Sequence, residues 1–184
     1  RSIQALFESI WAQLSQAERS ALVDLSRFPR GFTHDAARQI MGITPLLLKS
    51  LLDKSLLAVR RGQGPRYHIH ELLRLFAREA HAATADEQAI RTRFVGYYAT
   101  LLSLREPDLR GRDQLQALSD IDAEFANIQH AWALALANGD VFGLNAMLEA
   151  LTQYLRLRGY WNEGRSLFKQ GRAQLVQHDS AEAQ

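Results

Sequence analysis

The chain has 184 residues, 47% of them hydrophobic and 23% charged, the balance of an ordinary soluble globular protein with room for one large or two small domains. It holds no cysteine, which excludes a disulfide framework, a thiolate metal site and a cysteine nucleophile, and suits a reducing, cytoplasmic setting. The net charge of +2 does not by itself argue for nucleic acid, but residues 1–83 carry +5 and residues 84–184 carry −3, which marks two functional halves.

No stretch approaches the roughly 20 apolar residues needed to span a membrane, and no charged-then-apolar leader opens the chain. The opening on Arg1, already inside an amphipathic pattern, leads us to expect a piece of a longer protein.

Residues 1–83 are expected to form the first domain. "SIQALFESIWAQL" places Ile3, Leu6, Phe7, Ile10, Trp11 and Leu14 on one helical face. "SQAERSALVDLSRF" begins with Ser15 and has Glu18 three residues later, the spacing of a capping box; its stripe is Leu22, Leu25 and Phe28, and Pro29 with Gly31 stops it. "THDAARQIMG" repeats the arrangement, with Thr33 as cap, Ala36, Ala37 and Ile40 as face and Gly42 as terminator. In "TPLLLKSLLDKS" Thr44 is the cap and Pro45 takes the first helical position, where its missing N–H costs nothing.

The period then changes. "LLAVRR" (Leu56 to Arg61), "GQGP" and "RYHIH" (Arg66 to His70) read as a two-stranded hairpin around a Gly-rich turn. "ELLRLFAREAHA" returns to helical spacing with Leu72, Leu73, Phe76 and Ala80. Helices, then a hairpin and another helix, give the order of a winged helix.

Residues 84–184 read as helices throughout. "EQAIRTRFVGYYATLLSL" spaces Ile90, Phe94, Tyr97, Tyr98, Leu101 and Leu102 helically, and "DQLQALSDIDAEFANIQHAWALALANGD" turns Leu115, Leu118, Ile121, Phe125, Ile128, Trp132 and Leu136 inward. "VFGLNAMLEALTQYLRLRG" and "YWNEGRSLFKQGRAQL" follow, each closed near a glycine. Short links between antiparallel helices suggest the start of a solenoid of the tetratricopeptide sort, in which Gly164 and Gly171 are the small packing residues. Asp120, Asp122 and Glu124 read as cap and solvated face; Trp132, Tyr154, Tyr160 and Trp161 read as core.

The chemistry-bearing residues are few. There is no GxxxxGK[ST] phosphate loop, no GxSxG elbow and no HExxH, so no catalytic residue is assigned and the chain is not read as an enzyme. His68 and His70 with Glu71 resemble a metal pair, but no third or fourth ligand lies at helical spacing nearby and no metal is assigned. His70 also reads as a strand-end histidine satisfied by a backbone carbonyl. The helix "TPLLLKSLLDKS" stands where a DNA-binding winged helix keeps its recognition helix, yet it offers no Arg, Asn or Gln for base edges. Lys49 and Lys54 on that helix, with Arg60, Arg61 and Arg66 on the wing, are the candidate DNA-phosphate contacts.

Taken together, "LSQAERSALVDLSRFPRGFTHDAARQIMG…LLKSLLDKSLLAVRRGQGPRYHIHELLRLFAREA" resembles the winged-helix region of bacterial STAND-class (NB-ARC-like) signalling ATPases, and "DIDAEFANIQHAWALALANGD" and "LRLRGYWNEGRSLFKQG" resemble the repeats that follow it. The likeness runs roughly from Leu14 to Leu175, and "FPRGFTHDAA", "LLDKSLL" and "RYHIHELLRLFA" carry it most specifically. It implies a regulatory piece of a transcriptional regulator whose winged helix closes on an upstream nucleotide-binding domain, with ADP or ATP and Mg held there. The helical repeats would take an inducer or protein partner. The family's Met-His-Asp-like motif falls on Ile69-His70-Glu71, with Ile for Met and Glu for Asp. That implies a phosphate contact for His70 and a junction or helix-cap role for Glu71. The alternative is a transcription factor whose own winged helix reads DNA, beside a helical protein-interaction domain.

Overall fold

A computed structural model describes residues 3–62, 64–80 and 87–169, with the side chains of residues 3–6 and 80 left out of the description. The chain divides into two units, Arg1–Ile90 and Arg91–Gln184.

In the first unit the caps start the helices where the sequence places them. Ser15 and Glu18 form a reciprocal capping box at α2 (Gln16–Leu25), following α1 (Ile3–Ala12). The Thr33 hydroxyl accepts from the Ala36 N–H at 3.1 Å to open α3 (His34–Met41). Thr44 does the same for Leu47 at 3.3 Å, with Pro45 leading α4 (Pro45–Asp53). Gly42 ends α3 in the left-handed conformation, φ 69°.

β1 (Leu57–Arg61) and β2 (Pro65–Ile69) pair antiparallel, in a register running from Leu57↔Ile69 to Arg61↔Pro65. α5 (Glu71–Ala80) follows at once. β2 has a second neighbour that periodicity does not reveal: Phe32 bridges Tyr67 through backbone bonds of 3.0 and 2.8 Å. The α2–α3 connection is thereby laid along the hairpin. Phe28 stacks on Phe32 at 4.8 Å between ring centroids and Phe32 on Tyr67 at 5.9 Å, so an aromatic column ties this connection to the core of Leu22, Leu25, Ile40, Leu48 and Leu51. α1 packs on α5 through Phe7 and Trp11, both 5.7 Å from the ring of Phe76. Ile3, Leu6 and Ala80, assigned to helical faces by spacing, have side chains outside the described residues.

The second unit is an antiparallel run of helices. α6 (Glu87–Arg105) begins before the division; a short 3-10 turn (Asp108–Arg110) links it to α7 (Gln114–Ala137), then α8 (Val141–Arg158), and residues 161–169 are again helical. Phe94 meets His130 while Tyr98 meets Glu124, and Phe125 of α7 meets Tyr154 of α8, pairings that run in opposite senses along the chain. The core is Phe94, Tyr98, Leu102, Leu109, Ile121, Ile128, Leu151 and Tyr154. Gly164 packs against Leu155, as a small residue at a close helix contact should, while Gly171 lies outside the described residues.

Three inward assignments do not hold. Leu115 is 80% exposed. Spacings of three drift by roughly 60° per step around a helix of 3.6 residues per turn, so 121, 118 and 115 walk off the buried stripe. Tyr160 and Trp161, read as core, are 38% and 67% exposed, because they follow the Gly159 cap that ends α8.

Candidate functional site

The junction between β2 and α5 carries the two histidines, and they have different surroundings. His70 is exposed at the start of α5. The Leu72 N–H donates to its Nδ1 at 3.3 Å, and its carbonyl accepts from the Arg74 N–H at 2.9 Å. With Nδ1 accepting, Nε2 is the ring nitrogen left to donate. That N–H has no acceptor among the described residues.

Glu71 does not cap α5; His70 does. The Glu71 carboxylate is gripped by the Arg74 guanidinium at 2.6 and 2.8 Å, which holds it below the usual carboxylate range. Arg74 also donates to the carbonyl of Pro29 at 3.2 Å and reaches that of Phe28 at 3.5 Å. Arg74 therefore ties α5 to the α2–α3 connection, and Glu71 pairs with it one turn back on the same helix. The sequence reading missed Arg74; its offset of three from Glu71 on a helix was the available signal.

His68 is half-buried. Its ring lies over Gly31, where a Cβ would fall 2.3 Å from Cε1. Burial first, then the charges of Arg60 and Arg66, push its pKa down, so it is neutral near pH 7. Together with Arg30, Gly31, Arg60 and Arg74, His68 lines a polar pocket floored by Leu25, Phe28 and Phe32.

The five candidate DNA contacts separate. Lys49 pairs with Asp53 at 2.6 Å along α4. The Lys54 ammonium sits on both oxygens of Glu18, at 2.6 and 2.7 Å. Arg66 donates to the Gly31 carbonyl at 2.6 Å. Arg60 and Arg61 stay exposed on β1, and Arg60 faces Arg66 directly across the hairpin. Lys49 thus pairs within α4, Lys54 ties the end of α4 to α2, and of the three arginines Arg60 lines the pocket. Among the described residues no group of three or more His, Asp or Glu is placed to hold a metal ion, and no helix is long and apolar enough to cross a membrane.

In the second unit the acidic run is engaged between helices, with Glu124 buried and Asp122 exposed. Glu124 is buried and accepts from the Tyr98 hydroxyl at 3.1 Å and the Asn127 amide at 2.7 Å. Asp122 takes the Tyr154 hydroxyl at 2.7 Å and pairs with Arg158, and Asp120 pairs with Arg105 at 2.8 Å. Burial, with Asp122 beside it, pushes the Tyr154 hydroxyl far above its ordinary pKa. These carboxylates are struts between helices, which one-helix spacing cannot reveal because their partners lie on α6 and α8.

No family model and no curated protein matches the chain. Among solved structures it is similar to a Signal Transduction ATPase with Numerous Domains (STAND) protein with a tetratricopeptide repeat sensor from Pyrococcus horikoshii, at 17% identity and a TM-score of 0.47 over 96% of this chain. The match covers 28% of that protein's chain, so this chain spans just over a quarter of its length.

Proposed function

We propose that the chain is a non-catalytic regulatory part of a STAND-type, nucleotide-dependent switch, and that the switch controls transcription in a bacterial cytoplasm. In this reading the helix-and-hairpin unit is a winged helix that closes on an upstream nucleotide-binding domain. The helical unit is the start of a tetratricopeptide-like array that takes an inducer or protein partner. One observation carries the reading: the exposed His70 imidazole, its tautomer set by the Leu72 N–H so that Nε2–H is presented outward.

Such an N–H donates to a phosphate oxygen without any change in the ring's protonation. ADP or ATP with Mg, held by the upstream domain, would supply the phosphate charge that distinguishes resting from active states. This chain's residues do the rest. His70 donates, Glu71 and Arg74 hold the β2–α5 junction against the Phe28–Pro29 carbonyls, and the lock biases a two-state equilibrium by its preference for the closed form.

The test compares nucleotide content and affinity in the full-length protein, wild type against His70→Ala. ADP that co-purifies with the wild type and is lost from the variant, with raised basal output, is the expected result. Equal ADP retention in both proteins sinks the lock.

A second reading, direct DNA binding by the wing, draws on the exposed Arg60 and Arg61. It predicts salt-sensitive duplex binding that weakens when both are neutralised. Against it stands Lys54, whose ammonium is held on Glu18, which leaves Lys49, in an exposed pair with Asp53, as the cation of α4.

A further inference from the structure

We propose that the outer edge of β1, at Val59 and Arg61, takes an extended acidic segment of a protein partner as a third strand of the hairpin sheet.

The direction of the ladder bonds leaves backbone groups free on that edge. Phe32 and Tyr67 exchange both backbone bonds, at 3.0 and 2.8 Å, so the N–H and C=O of Tyr67 point away from β1. Bonding direction alternates from residue to residue along an antiparallel strand. Arg66 and His68 therefore bond to β1 through their partners Arg60 and Ala58, while Val59 and Arg61 turn their N–H and C=O outward. Pro65 obeys the same alternation: paired with Arg61, it stands where β2 needs no N–H toward β1.

The edge is also uncovered. The sheet has two strands, and no backbone group among the described residues bonds to β1 from its outer side. Phe32 engages the opposite edge of the hairpin at Tyr67, so β1 is the open one. Ala58 through Arg61 are exposed, whereas Leu57 is buried at the root of the strand, which sets the length of edge on offer. A strand added there would exchange backbone bonds with Val59 and Arg61, the mode in which sheet edges take up peptides.

Charge selects the occupant. Arg60 and Arg61 are adjacent, exposed and in no ion pair among the described residues. A second copy of the chain pairing edge to edge would bring arginines against arginines, which is destabilising. An acidic strand would instead set a carboxylate across from each. Beside them Val59, 39% exposed, offers an apolar cross-strand contact. The segment that fits has two acidic residues followed by a β-branched one. DNA would use the two guanidinium groups but neither the outward backbone groups nor the Val59 side chain. His70 follows the end of β2 that pairs with Leu57, at the root of the hairpin, so the inference stands apart from the nucleotide lock.

The experiment titrates the 184-residue chain with the capped peptide Thr-Glu-Glu-Ile-Thr and follows backbone amide resonances. Laid antiparallel to β1, the two glutamates face Arg61 and Arg60 and the isoleucine faces Val59. We expect saturable shifts with a Kd on the order of 0.1–1 mM. They should be largest at the Val59 and Arg61 N–H and smaller at Ala58 and Arg60, which stay bonded to β2. N-methylation of the isoleucine, whose N–H would bond to Val59, should weaken binding about tenfold. N-methylation of the second glutamate, whose N–H points away from β1, should leave binding unchanged. Val59→Pro removes the outward donor without removing a bond to β2, and should weaken binding as the first methylation does, with the circular dichroism spectrum preserved. Arg60→Gln and Arg61→Gln should each weaken it about threefold, the value of one cross-strand charge pair. No saturable shift overturns the proposal, as does equal binding of the two methylated peptides or of a peptide with lysines for the glutamates. A short DNA duplex that binds more tightly than the peptide, and as well to Val59→Pro as to the wild type, overturns it in favour of a wing that tracks nucleic acid. Dimerisation of the chain that Val59→Pro abolishes overturns it in favour of a second copy.

Discussion

His68 and Gly31 fit together as ring and bare backbone: a methyl group at Gly31 would lie 2.3 Å from Cε1 and 2.7 Å from each ring nitrogen of His68. The contact sits between the α2–α3 connection and β2, next to the Phe32–Tyr67 bridge. It lets a histidine take a place that a larger neighbour would close, and it makes the residue opposite the histidine as specific as the histidine itself.

Gly31→Ala should therefore destabilise the first unit by about 1–3 kcal/mol, the usual cost of overpacking. The three nearest obstructing atoms all belong to the ring, so the double variant Gly31→Ala/His68→Ala should recover much of the loss. Urea denaturation of the four proteins in the cycle measures the coupling, expected at about 1 kcal/mol or more. Additive losses would mean that the ring and the glycine do not meet.

Glu18 ties α2 to α4. Its carboxylate accepts from the Ser15 N–H at 2.8 Å, the Ser50 hydroxyl at 2.5 Å and the Lys54 ammonium at 2.6 Å. The Lys54 bond first, then those from Ser50 and Ser15, lower its pKa from 4.5 to about 2. A carboxyl whose pKa is depressed by folding stabilises the folded state fully above its unfolded value and loses that contribution as pH falls through the folded value. The window here runs from pH 4.5 down to about 2. Glu18→Gln should lose about 2 kcal/mol at neutral pH, for the charged hydrogen bonds removed. The difference between wild type and variant should shrink across that window. Chemical denaturation at pH 7, 4 and 3 reads it, and a difference that does not change with pH would discount the charge.

Much of the first unit was legible because its signals are local. Ser15 with Glu18, Thr33, and Thr44 with Pro45 act on N–H groups two or three residues away, so spacing suffices. The hairpin likewise follows from a change of period around glycines. What stayed hidden is non-local. The Phe32–Tyr67 bridge, the grip of Arg74 on Pro29 and the seat of His68 on Gly31 join residues more than 30 positions apart. His70 was found as a residue, but its capping role was not. Histidine is an unusual cap, and the adjacent Glu71 was the obvious one. Lys54 read as a surface cation because nothing in "LLDKS" announces a buried acid on another helix.

The same contrast holds for Glu124, which is 5% exposed and serves two fully buried partners, the Tyr98 hydroxyl and the Asn127 amide. Truncating it removes the acceptor that both groups share in the core between α6 and α7, at the cost of two buried hydrogen bonds. Glu124→Ala should cost about 3 kcal/mol, while Tyr98→Phe, which removes one donor and leaves the acceptor its other bond, should cost about 1 kcal/mol. In the double variant Tyr98→Phe/Glu124→Ala the loss should be smaller than the sum, since both single variants remove the same Tyr98–Glu124 bond. Denaturant unfolding monitored by Trp132 fluorescence measures all three, because Trp132 lies in the same buried stripe of α7. A Glu124→Ala protein within about 0.5 kcal/mol of wild type would return this residue to the solvated face on which its charge alone would place it.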